Sequence, residues 1–155
     1  MGAGKSSLGW KLSLFLKLQH YDSDKIISFS SGVPAGVLFS RNPREFRKRE
    51  LELIQNTSSK GLIFSLGGGA VECPVTCALL KGRPVLWLDP GVDACWERVQ
   101  KDTTYRPLAV NYEDFIALYH KRVPLYRECA RWHLQSLSPP EQLVNEVIEL
   151  TGIRA

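Results

Sequence analysis

The stretch Met1-Gly2-Ala3-Gly4-Lys5-Ser6-Ser7 matches the second half of a phosphate-binding loop of the G-x-x-x-x-G-K-[ST] type, although so short a match could also arise by chance. Glycines let the backbone of such a loop fold around phosphates, so that main-chain N–H groups point at the anion. The helix that follows directs the positive end of its dipole at the same anion. Lys5 can then reach the β- and γ-phosphates of a nucleotide, and the Ser6 hydroxyl can bind Mg²⁺.

Length and composition indicate one globular domain. A chain of 155 residues with 44% hydrophobic residues can build one core, and its ordinary share of charged residues argues against disorder. No apolar run is long enough to cross a membrane, and no stretch resembles a signal peptide. The net charge of +4 is mild, and the one dense basic cluster, residues 41–49, contains a glutamate. These features predict a cytoplasmic protein that binds neither nucleic acid nor membrane, and the basic balance suits anionic substrates.

The cysteines lack the spacing of a metal site. No CxxC pair is present, and no histidine lies at a zinc-finger distance from any of them. In a chain without a secretion signal, we expect all four to be reduced, buried thiols. They are Cys73, Cys77, Cys95 and Cys129.

Short apolar runs alternate with helical patterns along the chain. The runs are bounded by Gly, Pro or polar residues and predict buried parallel strands, whereas segments with apolar residues three or four apart predict helices. This alternation predicts an α/β sandwich with a mostly parallel sheet and a single domain, 1–155. The polar segment 101–112 predicts a mobile loop. Predicted strands are an extended segment ending at 20–24, then 62–66, 84–89 and 132–137; predicted helices are 6–18, 25–29, a stretch after Pro34, 43–54, 74–80, 92–101, 112–130 and 140–150.

Asp22 and Asp24 lie two residues apart at the end of the predicted extended segment. In extended backbone their side chains would share a face, and the carboxyl ends of strands are where open α/β sheets bind ligands. One carboxylate could then hold a Mg²⁺-bound water while the other contacts a substrate hydroxyl. The same residues also suit a solvated turn in which an aspartate caps a helix, and the pair alone favours this second interpretation.

Three further features could bind an anionic substrate. Arg47 and Glu50 lie three apart on a predicted helix, so Glu50 can hold the guanidinium still for a ligand, or the two can form an ordinary surface ion pair. The glycines at 67–69 can form a simple turn, or can let a substrate lie against backbone amides. Arg106 can be solvated, or can close over a phosphoryl group during its transfer.

In chain order, these motifs resemble the shikimate kinase family, whose members are P-loop NTPases similar to nucleoside-monophosphate kinases. The resemblance covers residues 1–150 and rests on the ordered set, since gluconate and adenylate-type kinases share the loop but not the later motifs. It implies a three-layer α/β sandwich with a central parallel sheet. The motifs are G-A-G-K-S-S, Y-D-S-D, F-R-K-R-E, G-G-G-A-V, R-P-L and R-V-P-L-Y.

The resemblance also implies an activity, the ATP-dependent phosphorylation of the shikimate 3-hydroxyl in chorismate and aromatic amino-acid biosynthesis. ATP and Mg²⁺ would be the cofactors, shikimate the small-molecule substrate, and the protein a cytoplasmic monomer. Shikimate is a small carboxylate with three hydroxyls, so arginine forks at one end of the pocket and a carboxylate at the other suit it. In-line phosphoryl transfer needs positioning and charge neutralisation more than covalent help.

The family's nucleotide and metal roles can be carried over to individual residues. The resemblance assigns the phosphates and Mg²⁺ to Gly2, Ala3, Gly4, Lys5, Ser6 and Ser7. It assigns Asp22 to the metal through water, with Ser65 in support, and Arg98 to the adenine. Arg106 resembles the lid arginine that meets the phosphates, and the lid spans roughly 101–112.

The substrate roles follow in the same way. Asp24 resembles the residue that grips the shikimate hydroxyls and can act as base. The carboxylate and hydroxyl clamp is assigned to Arg47, Gly68, Gly69 and Arg122, with Glu50 orienting Arg47 and with Phe39 and Phe46 as pocket walls. The substrate-binding helices span roughly 25–57. Lys5, Asp24 and Arg106 are the expected catalytic residues.

Two departures from the family pattern stand out. Asn42-Pro43 stands where the family often has Gly-Glu, which we expect to alter a helix start rather than the site. The first glycine of the loop would fall two residues before Met1, and the strand that leads into the loop has no counterpart. Since that strand is central in the family fold, its absence would leave two neighbouring strands unpaired. We expect the chain to be truncated, and a plastid-targeting segment could precede it.

Two alternative functions stay open at this point. A non-catalytic or impaired nucleotide-binding relative would keep the fold as an interaction module, and the incomplete loop favours it. The presence of the catalytic and clamp residues argues against it, since a degenerate module would have lost some of them. A kinase for another polyol acid, such as gluconate, would keep the chemistry and change the acceptor.

Overall fold

The computed structural model describes residues 1–57, 61–108 and 110–154, in which eight α-helices, one 3-10 helix and four strands alternate. The α/β class predicted from the sequence is therefore confirmed. The strands are β1 Gln19–Asp22, β2 Leu62–Ser65, β3 Leu86–Asp89 and β4 Trp132–Gln135, and the 3-10 helix is Ala70–Glu72. The helices are α1 Lys5–Leu16, α2 Ser23–Ser31, α3 Ala35–Arg41, α4 Pro43–Asn56, α5 Pro74–Leu80, α6 Val92–Lys101, α7 Tyr112–Cys129 and α8 Pro140–Thr151.

Helix ends follow local backbone chemistry. The predicted helix 6–18 is too long, because Lys17 adopts a left-handed conformation with φ 53° and α1 ends before it. Helix α4 begins at Pro43, and the Asn42 side chain accepts a hydrogen bond from the Glu45 N–H at 3.1 Å. Asn42-Pro43 is thus a capped helix start. Among the residues described, no helix is both long and apolar enough to cross a membrane.

The strands form two parallel pairs, β1 with β2 and β3 with β4. In the first pair Gln19 lies opposite Leu62 and Asp22 lies opposite Ser65, so both strands end at the same edge. Parallel neighbours need long crossover connections, which α2, α3 and α4 supply for the first pair and α6 and α7 for the second. The residues that follow β1 and β2 are therefore brought together.

A large apolar cavity lies between the two strand pairs, and we call it the central slot. It has a volume of about 580 Å³ and is lined by residues 62–66, which include β2, and by 86–89 of β3. Within the described ranges, no strand pairs with β2 or β3 across it. Leu62, Ile63 and Phe64 are consequently only half-buried, although the sequence predicts a fully buried strand there.

Helices cover both faces of the strands. On one face, Leu12 of α1 packs in a cluster with Val144 of α8. On the other face, Ile54 of α4 belongs to a cluster that α5 and α7 complete. Ile63 joins the first cluster and Phe64 the second, as expected for adjacent residues of a strand. The layers are those of the predicted sandwich, but within the described residues the middle layer consists of two parallel strand pairs and not of one continuous central sheet.

The cysteines correct one expectation from the sequence. Cys77 of α5 and Cys129 of α7 form a disulfide, with their Cα atoms 5.5 Å apart. Cys73 and Cys95 are free, so the expectation of four reduced thiols is wrong for two of them. The paired residues are separated by 52 positions, and the packing of α5 on α7, rather than any local spacing, brings them together.

Candidate active site

The turn formed by Gly2, Ala3 and Gly4 leads into α1. Gly4 has φ 89°, in the left-handed region that favours glycine, and it is the N-cap of the helix. No side chain within the described residues caps this helix start, and its first turn holds no acidic residue. Ser7 lies exposed in that turn. The N–H groups at the start of α1 therefore remain available to an anion such as a phosphate.

Lys5 is the first residue of α1 and has charged neighbours on several sides. Loss of hydration lowers the pKa of its ammonium group, and the carboxylates of Asp24 and Asp22 oppose that shift. The guanidinium of Arg106 adds to the decrease. Approaching phosphates would stabilise the charged form of Lys5, because opposite charges attract strongly in a partly dehydrated site.

Asp22 is the last residue of β1, and its carboxylate is hydrogen-bonded both to Ser6 at the start of α1 and to the start of α2. Its Oδ1 accepts hydrogen bonds from the N–H groups of Asp24 at 3.0 Å and Lys25 at 3.2 Å, so the helix-cap interpretation is correct. Its Oδ2 accepts a hydrogen bond from the Ser6 hydroxyl. The expectation that Asp22 and Asp24 share a face of extended backbone is wrong, because α2 already begins at Ser23. Asp22 thus caps a helix with one oxygen and faces the loop with the other.

Asp24 lies in the first turn of α2, beside the phosphate loop. The residue is exposed on its outer side, but its Oδ1 lies in the space next to Gly67. The resulting loss of hydration raises the pKa of the Asp24 carboxyl, and the carboxylate of Asp22 raises it further, while Lys5 and two arginines oppose the increase. A carboxylate with a raised pKa is a better proton acceptor than an ordinary aspartate.

Arg47 projects from α4 beside two aromatic rings that also contact each other. Its guanidinium carbon lies 5.2 Å from the ring centre of Phe39 and 5.5 Å from that of Phe46, which are cation–π distances. Its Nη1 donates a hydrogen bond to Glu50 Oε2 at 2.6 Å, so the predicted pairing on one helix face is present. Its Nη2 lies 3.5 Å from Glu72 Oε2. These contacts hold the guanidinium in one orientation.

Arg122 projects from α7 toward the same place. It is only 4% exposed, and its Nε donates a hydrogen bond to Glu72 Oε1 at 2.8 Å. A Cβ on Gly69 would overlap Arg47 Nη2 and would lie 2.9 Å from Arg122 Nη2. The two guanidinium groups therefore both lie close to Gly69, in space that any side chain at this position would fill.

Two residues of this cluster, Tyr126 and Glu72, were given no role in the sequence-based prediction, although Tyr126 is the last residue of the R-V-P-L-Y motif. Tyr126 donates a hydrogen bond from its hydroxyl to the Gly68 carbonyl at 2.7 Å. It follows Arg122 by one helical turn, and that spacing could have suggested a shared face. Glu72 contacts both arginines, but Arg122 lies 50 positions away along the chain, and no local pattern marks such a pair.

Arg98 contacts the loop of residues 2–7, and Arg106 acts on Lys5 of that loop through its charge. Arg98 of α6 donates a hydrogen bond from Nη1 to the Ala3 carbonyl at 3.3 Å, which places its guanidinium beside the loop. Arg106 donates one from Nη2 to Asp102 Oδ2 at 2.6 Å. The positive charge of Arg106 acts on both Lys5 and Asp24, so all three expected catalytic residues share one electrostatic environment.

The predicted lid begins at Lys101, the last residue of α6, and continues outside helices and strands through residues 102–108. It lies against α3, because a Cβ on Gly36 would come within 2.5 Å of the Tyr105 carbonyl. The Tyr105 hydroxyl is also 3.2 Å from Ser40 Oγ. Ala109, which the prediction includes in the lid, lies outside the described residues.

Ser65, which the resemblance places in support of Asp22, lies opposite it in the strand register. Its hydroxyl is hydrogen-bonded to His20 Nε2 at 2.9 Å and donates to the Lys5 carbonyl at 3.2 Å, so Ser65 supports the loop from the strand side. In residues 1–57, 61–108 and 110–154, no group of three or more His, Cys, Asp or Glu side chains could hold a metal ion. A metal at this site would need ligands from the phosphates as well as from the protein.

The turn of residues 2–4, the Asp24 carboxylate and the paired guanidinium groups of Arg47 and Arg122 adjoin one another, an arrangement that suits phosphoryl transfer to a small anionic acceptor. Fold and site together define a P-loop phosphotransferase of the α/β sandwich class. The family model for shikimate kinase matches residues 1–151, and the chain belongs to that family.

Relatives and solved structures agree with this assignment. The shikimate kinase of Nitrosospira multiformis is 37% identical over 142 residues, which cover 88% of this chain and 72% of that protein. The shikimate kinase of Tolumonas auensis is 34% identical over an alignment that covers 99% of this chain and 93% of that protein. The structure of shikimate kinase from Acinetobacter baumannii in complex with shikimate has a TM-score of 0.87 and 28% identity, covering 96% of this chain and 87% of that one.

Proposed function

We propose that this protein transfers the γ-phosphoryl group of ATP to the 3-hydroxyl of shikimate and releases shikimate 3-phosphate and ADP. Membership of the shikimate kinase family and the shikimate complex of the Acinetobacter relative support this reaction. The observation that carries the proposal is the convergence of Arg47 and Arg122 at Gly69, close enough to Asp24 for the charge of Arg47 to act on its carboxyl.

In this proposal, Arg47 and Arg122 bind the carboxylate of shikimate. Guanidinium groups present two N–H donors in a plane and therefore match the two oxygens of a carboxylate. The hydrogen bond of Arg47 to Glu50 and its contacts with the rings of Phe39 and Phe46 already restrict the side chain, so binding removes less conformational freedom.

Asp24 would accept the proton of the 3-hydroxyl while the hydroxyl oxygen forms its bond to the γ-phosphorus and the bond to ADP breaks. The raised pKa of the Asp24 carboxyl supports this role, because it brings the proton affinity closer to what a general base needs near neutral pH. Gly68 and Gly69 would let the ring of the acceptor approach the backbone.

The loop of residues 2–7 would bind the phosphates of ATP, as its open helix start suggests. Lys5 and Arg106 would neutralise charge on the transferring group, since phosphoryl transfer is promoted mainly by positioning and electrostatics. Arg98, which is hydrogen-bonded to the loop, would lie next to the nucleoside.

Mg²⁺ fits the atoms that the chain offers beside the loop. Ser6 Oγ and Asp22 Oδ2 are joined by a hydrogen bond, and both are hard oxygen ligands of the kind Mg²⁺ prefers. Ser6 would bind the ion directly and Asp22 through a water molecule. When bound, the ion would neutralise negative charge on the β- and γ-phosphates.

The monomeric state stays a prediction that sedimentation can measure.

A coupled assay of ADP release tests the proposal with ATP, Mg²⁺ and either shikimate or gluconate. We expect turnover that requires shikimate and Mg²⁺. Arg47→Ala should abolish the use of shikimate, whereas Lys48→Ala, which removes the exposed neighbouring charge, should behave like the wild type. Turnover with gluconate alone would favour the alternative acceptor. A folded protein that releases no ADP with either compound would favour the non-catalytic relative.

A further inference from the structure

We propose that Glu72 is a positioning residue for the acceptor carboxylate, a role that rests on the proposed function. Glu72 ends the 3-10 helix that follows Gly69. Its carboxylate contacts both arginines of the clamp, because Oε1 accepts a hydrogen bond from Arg122 Nε at 2.8 Å and Oε2 lies 3.5 Å from Arg47 Nη2. Through these contacts Glu72 directs two guanidinium groups at one acceptor carboxylate.

The contact with Glu72 uses only the Nε atom of Arg122 and leaves its two Nη atoms without a bond to Glu72. Glu72 occupies Nε, whereas Nη2 lies 2.9 Å from the place that a Cβ on Gly69 would take, and Nη1 lies 3.8 Å from the corresponding place at Gly68. A carboxylate binds a guanidinium best through two nitrogens at once, so a side chain that fixes Nε orients the nitrogens that remain. Without Glu72, the buried Nε–H group of Arg122 would lose its hydrogen-bond acceptor.

Charge gives Glu72 a second effect on the same geometry. The Nη2 atoms of Arg47 and Arg122 both lie close to Gly69, and like charges at short distance repel each other more strongly in a partly buried site than in water. Glu50 is hydrogen-bonded to Arg47, whereas Glu72 forms ion pairs with both arginines. We therefore expect the two guanidinium groups to move apart when Glu72 is replaced by alanine.

The expected effect is on the affinity for the acceptor and not on the nucleotide. Glu72→Ala should raise the KM for shikimate about tenfold, as for the loss of one charged hydrogen bond that orients a binding group. Glu72→Gln should recover only part of this loss, because its amide oxygen can still accept a hydrogen bond from Arg122 Nε but carries no charge to offset the repulsion between the two guanidinium groups. The KM for ATP should stay unchanged. The methyl ester of shikimate lacks the carboxylate charge, so its KM should change by less than about twofold.

The experiment measures kcat and KM for ATP, shikimate and its methyl ester with the wild type and both variants. Glu128→Ala is the matched control, because this exposed carboxylate lies on the same helix as Arg122 and pairs with Lys81 at 2.7 Å. NMR of the arginine Nε–H groups gives an independent measure. The Arg122 signal should exchange slowly with water in the wild type and in Glu72→Gln, and rapidly in Glu72→Ala.

An increase in KM that is confined to shikimate, and that is larger in Glu72→Ala than in Glu72→Gln, supports the inference. An unchanged or lowered KM in both variants overturns it, and so do equal losses for shikimate and the ester, which would assign Glu72 to folding alone. Each of these results leaves the proposed function intact. If the wild type does not phosphorylate shikimate, the proposed function fails and the inference fails with it. If Glu72→Ala does not fold, Glu72→Asp decides, because its shorter carboxylate should not reach both arginines and should raise the same KM.

Discussion

Arg47 and Glu50, one turn apart on α4, are joined by a hydrogen bond of 2.6 Å from Nη1 to Oε2. Glu50 is only 1% exposed, and its second oxygen, Oε1, has no hydrogen-bond partner in the part of the chain that the structure describes. Burial raises the pKa of the Glu50 carboxyl to about 7 from an ordinary value of 4.5, although Arg47 opposes the shift. Near neutral pH this buried pair can therefore take up a proton.

The raised pKa of Glu50 makes the stability of the protein depend on pH. The folded protein holds this proton more tightly than the unfolded chain, so the contribution is complete below pH 4.5 and is lost as the pH rises through about 7. Glu50→Gln imitates the protonated form at every pH. As the pH rises from 4.5 to about 7, we expect the free energy of unfolding of the wild type to fall relative to that of Glu50→Gln by up to about 3 kcal/mol.

Urea unfolding at a series of pH values measures this difference. Glu52→Gln is the control, because Glu52 lies exposed on the same helix and should leave the pH dependence of the wild type unchanged. If the wild type and Glu50→Gln gave parallel curves, Glu50 would titrate at its ordinary pKa and the explanation would be wrong.

Asp24 should set the acid limb of the activity profile. Its pKa is raised above the ordinary 3.8, chiefly by loss of hydration and then by Asp22, and the protonated form cannot accept the proton of the acceptor. The value of kcat should therefore fall as the pH is lowered through this raised pKa. Asp24→Asn should lower kcat by about 10²- to 10⁴-fold, the range for loss of a general base.

Steady-state kinetics between about pH 4 and 9 test this assignment. The acid limb should be absent from whatever activity Asp24→Asn retains, while the affinity for ATP, measured by calorimetry, should be close to that of the wild type. A variant that keeps both its kcat and its acid limb would exclude Asp24 as the proton acceptor.

Arg122 should require its guanidinium shape as well as its charge. Arg122→Lys keeps a positive charge but loses the Nε donor to Glu72 and the two-nitrogen fork. We expect the KM for shikimate to rise about 10- to 100-fold, with an unchanged KM for ATP. Arg127→Lys, an exposed substitution on the same helix, is the control. Equal kinetics for both variants would show that charge alone is sufficient at position 122.

Local signals account for the parts of this molecule that the sequence could predict. The helix start at Pro43, the apolar run at 62–66 and the pairing of Arg47 with Glu50 all depend on residues within a few positions of one another. Such signals fixed the class of fold and one contact of the proposed clamp. The assignment of individual site residues came from the family resemblance, since spacing alone left each of them with an ordinary structural explanation.

Contacts between distant parts of the chain were not predictable in this way. Glu72 and Arg122 are separated by 50 positions and the disulfide partners by 52, so each pair depends on how whole helices pack. Asp22 shows a different cause of error. The Asp22 side chain caps α2, and the extended backbone therefore ends at Asp22. Asp24 already lies in the helix and does not share a strand face with Asp22.

The disulfide between Cys77 and Cys129 should contribute to stability by closing a long loop. For a separation of 52 residues, the loss of chain entropy in the unfolded state corresponds to about 4 kcal/mol. A dithiol reductant should therefore lower the midpoint of thermal unfolding of the wild type. Cys77→Ser should show the lower midpoint without reductant, whereas Cys73→Ser, which removes a free thiol, should behave like the wild type. A midpoint that does not respond to reductant would contradict this contribution.

The central slot should accept an added strand. Met1 lines the slot, and its nitrogen lies 3.5 Å from the position that a Cβ on Gly68 would take. Gly68 follows the carboxyl end of β2. Residues attached ahead of Met1 can therefore enter the slot at that end. A strand that runs toward Met1 would be parallel to β2 and could hydrogen-bond to the open edges of β2 and β3. Since β2 and β3 have 4 residues each, an extension of about five residues is long enough to run beside both.

An extension of five apolar, β-branched residues should therefore raise the midpoint of thermal unfolding and reduce the binding of a fluorescent dye that reports open apolar surface. Filling an apolar cavity stabilises a protein roughly in proportion to the volume filled, and this slot is much larger than a single side chain. An extension of five Gly and Ser residues is the matched control and should change neither quantity, because it offers little apolar surface to bury. Equal effects of the two extensions would mean that the slot does not select an apolar strand.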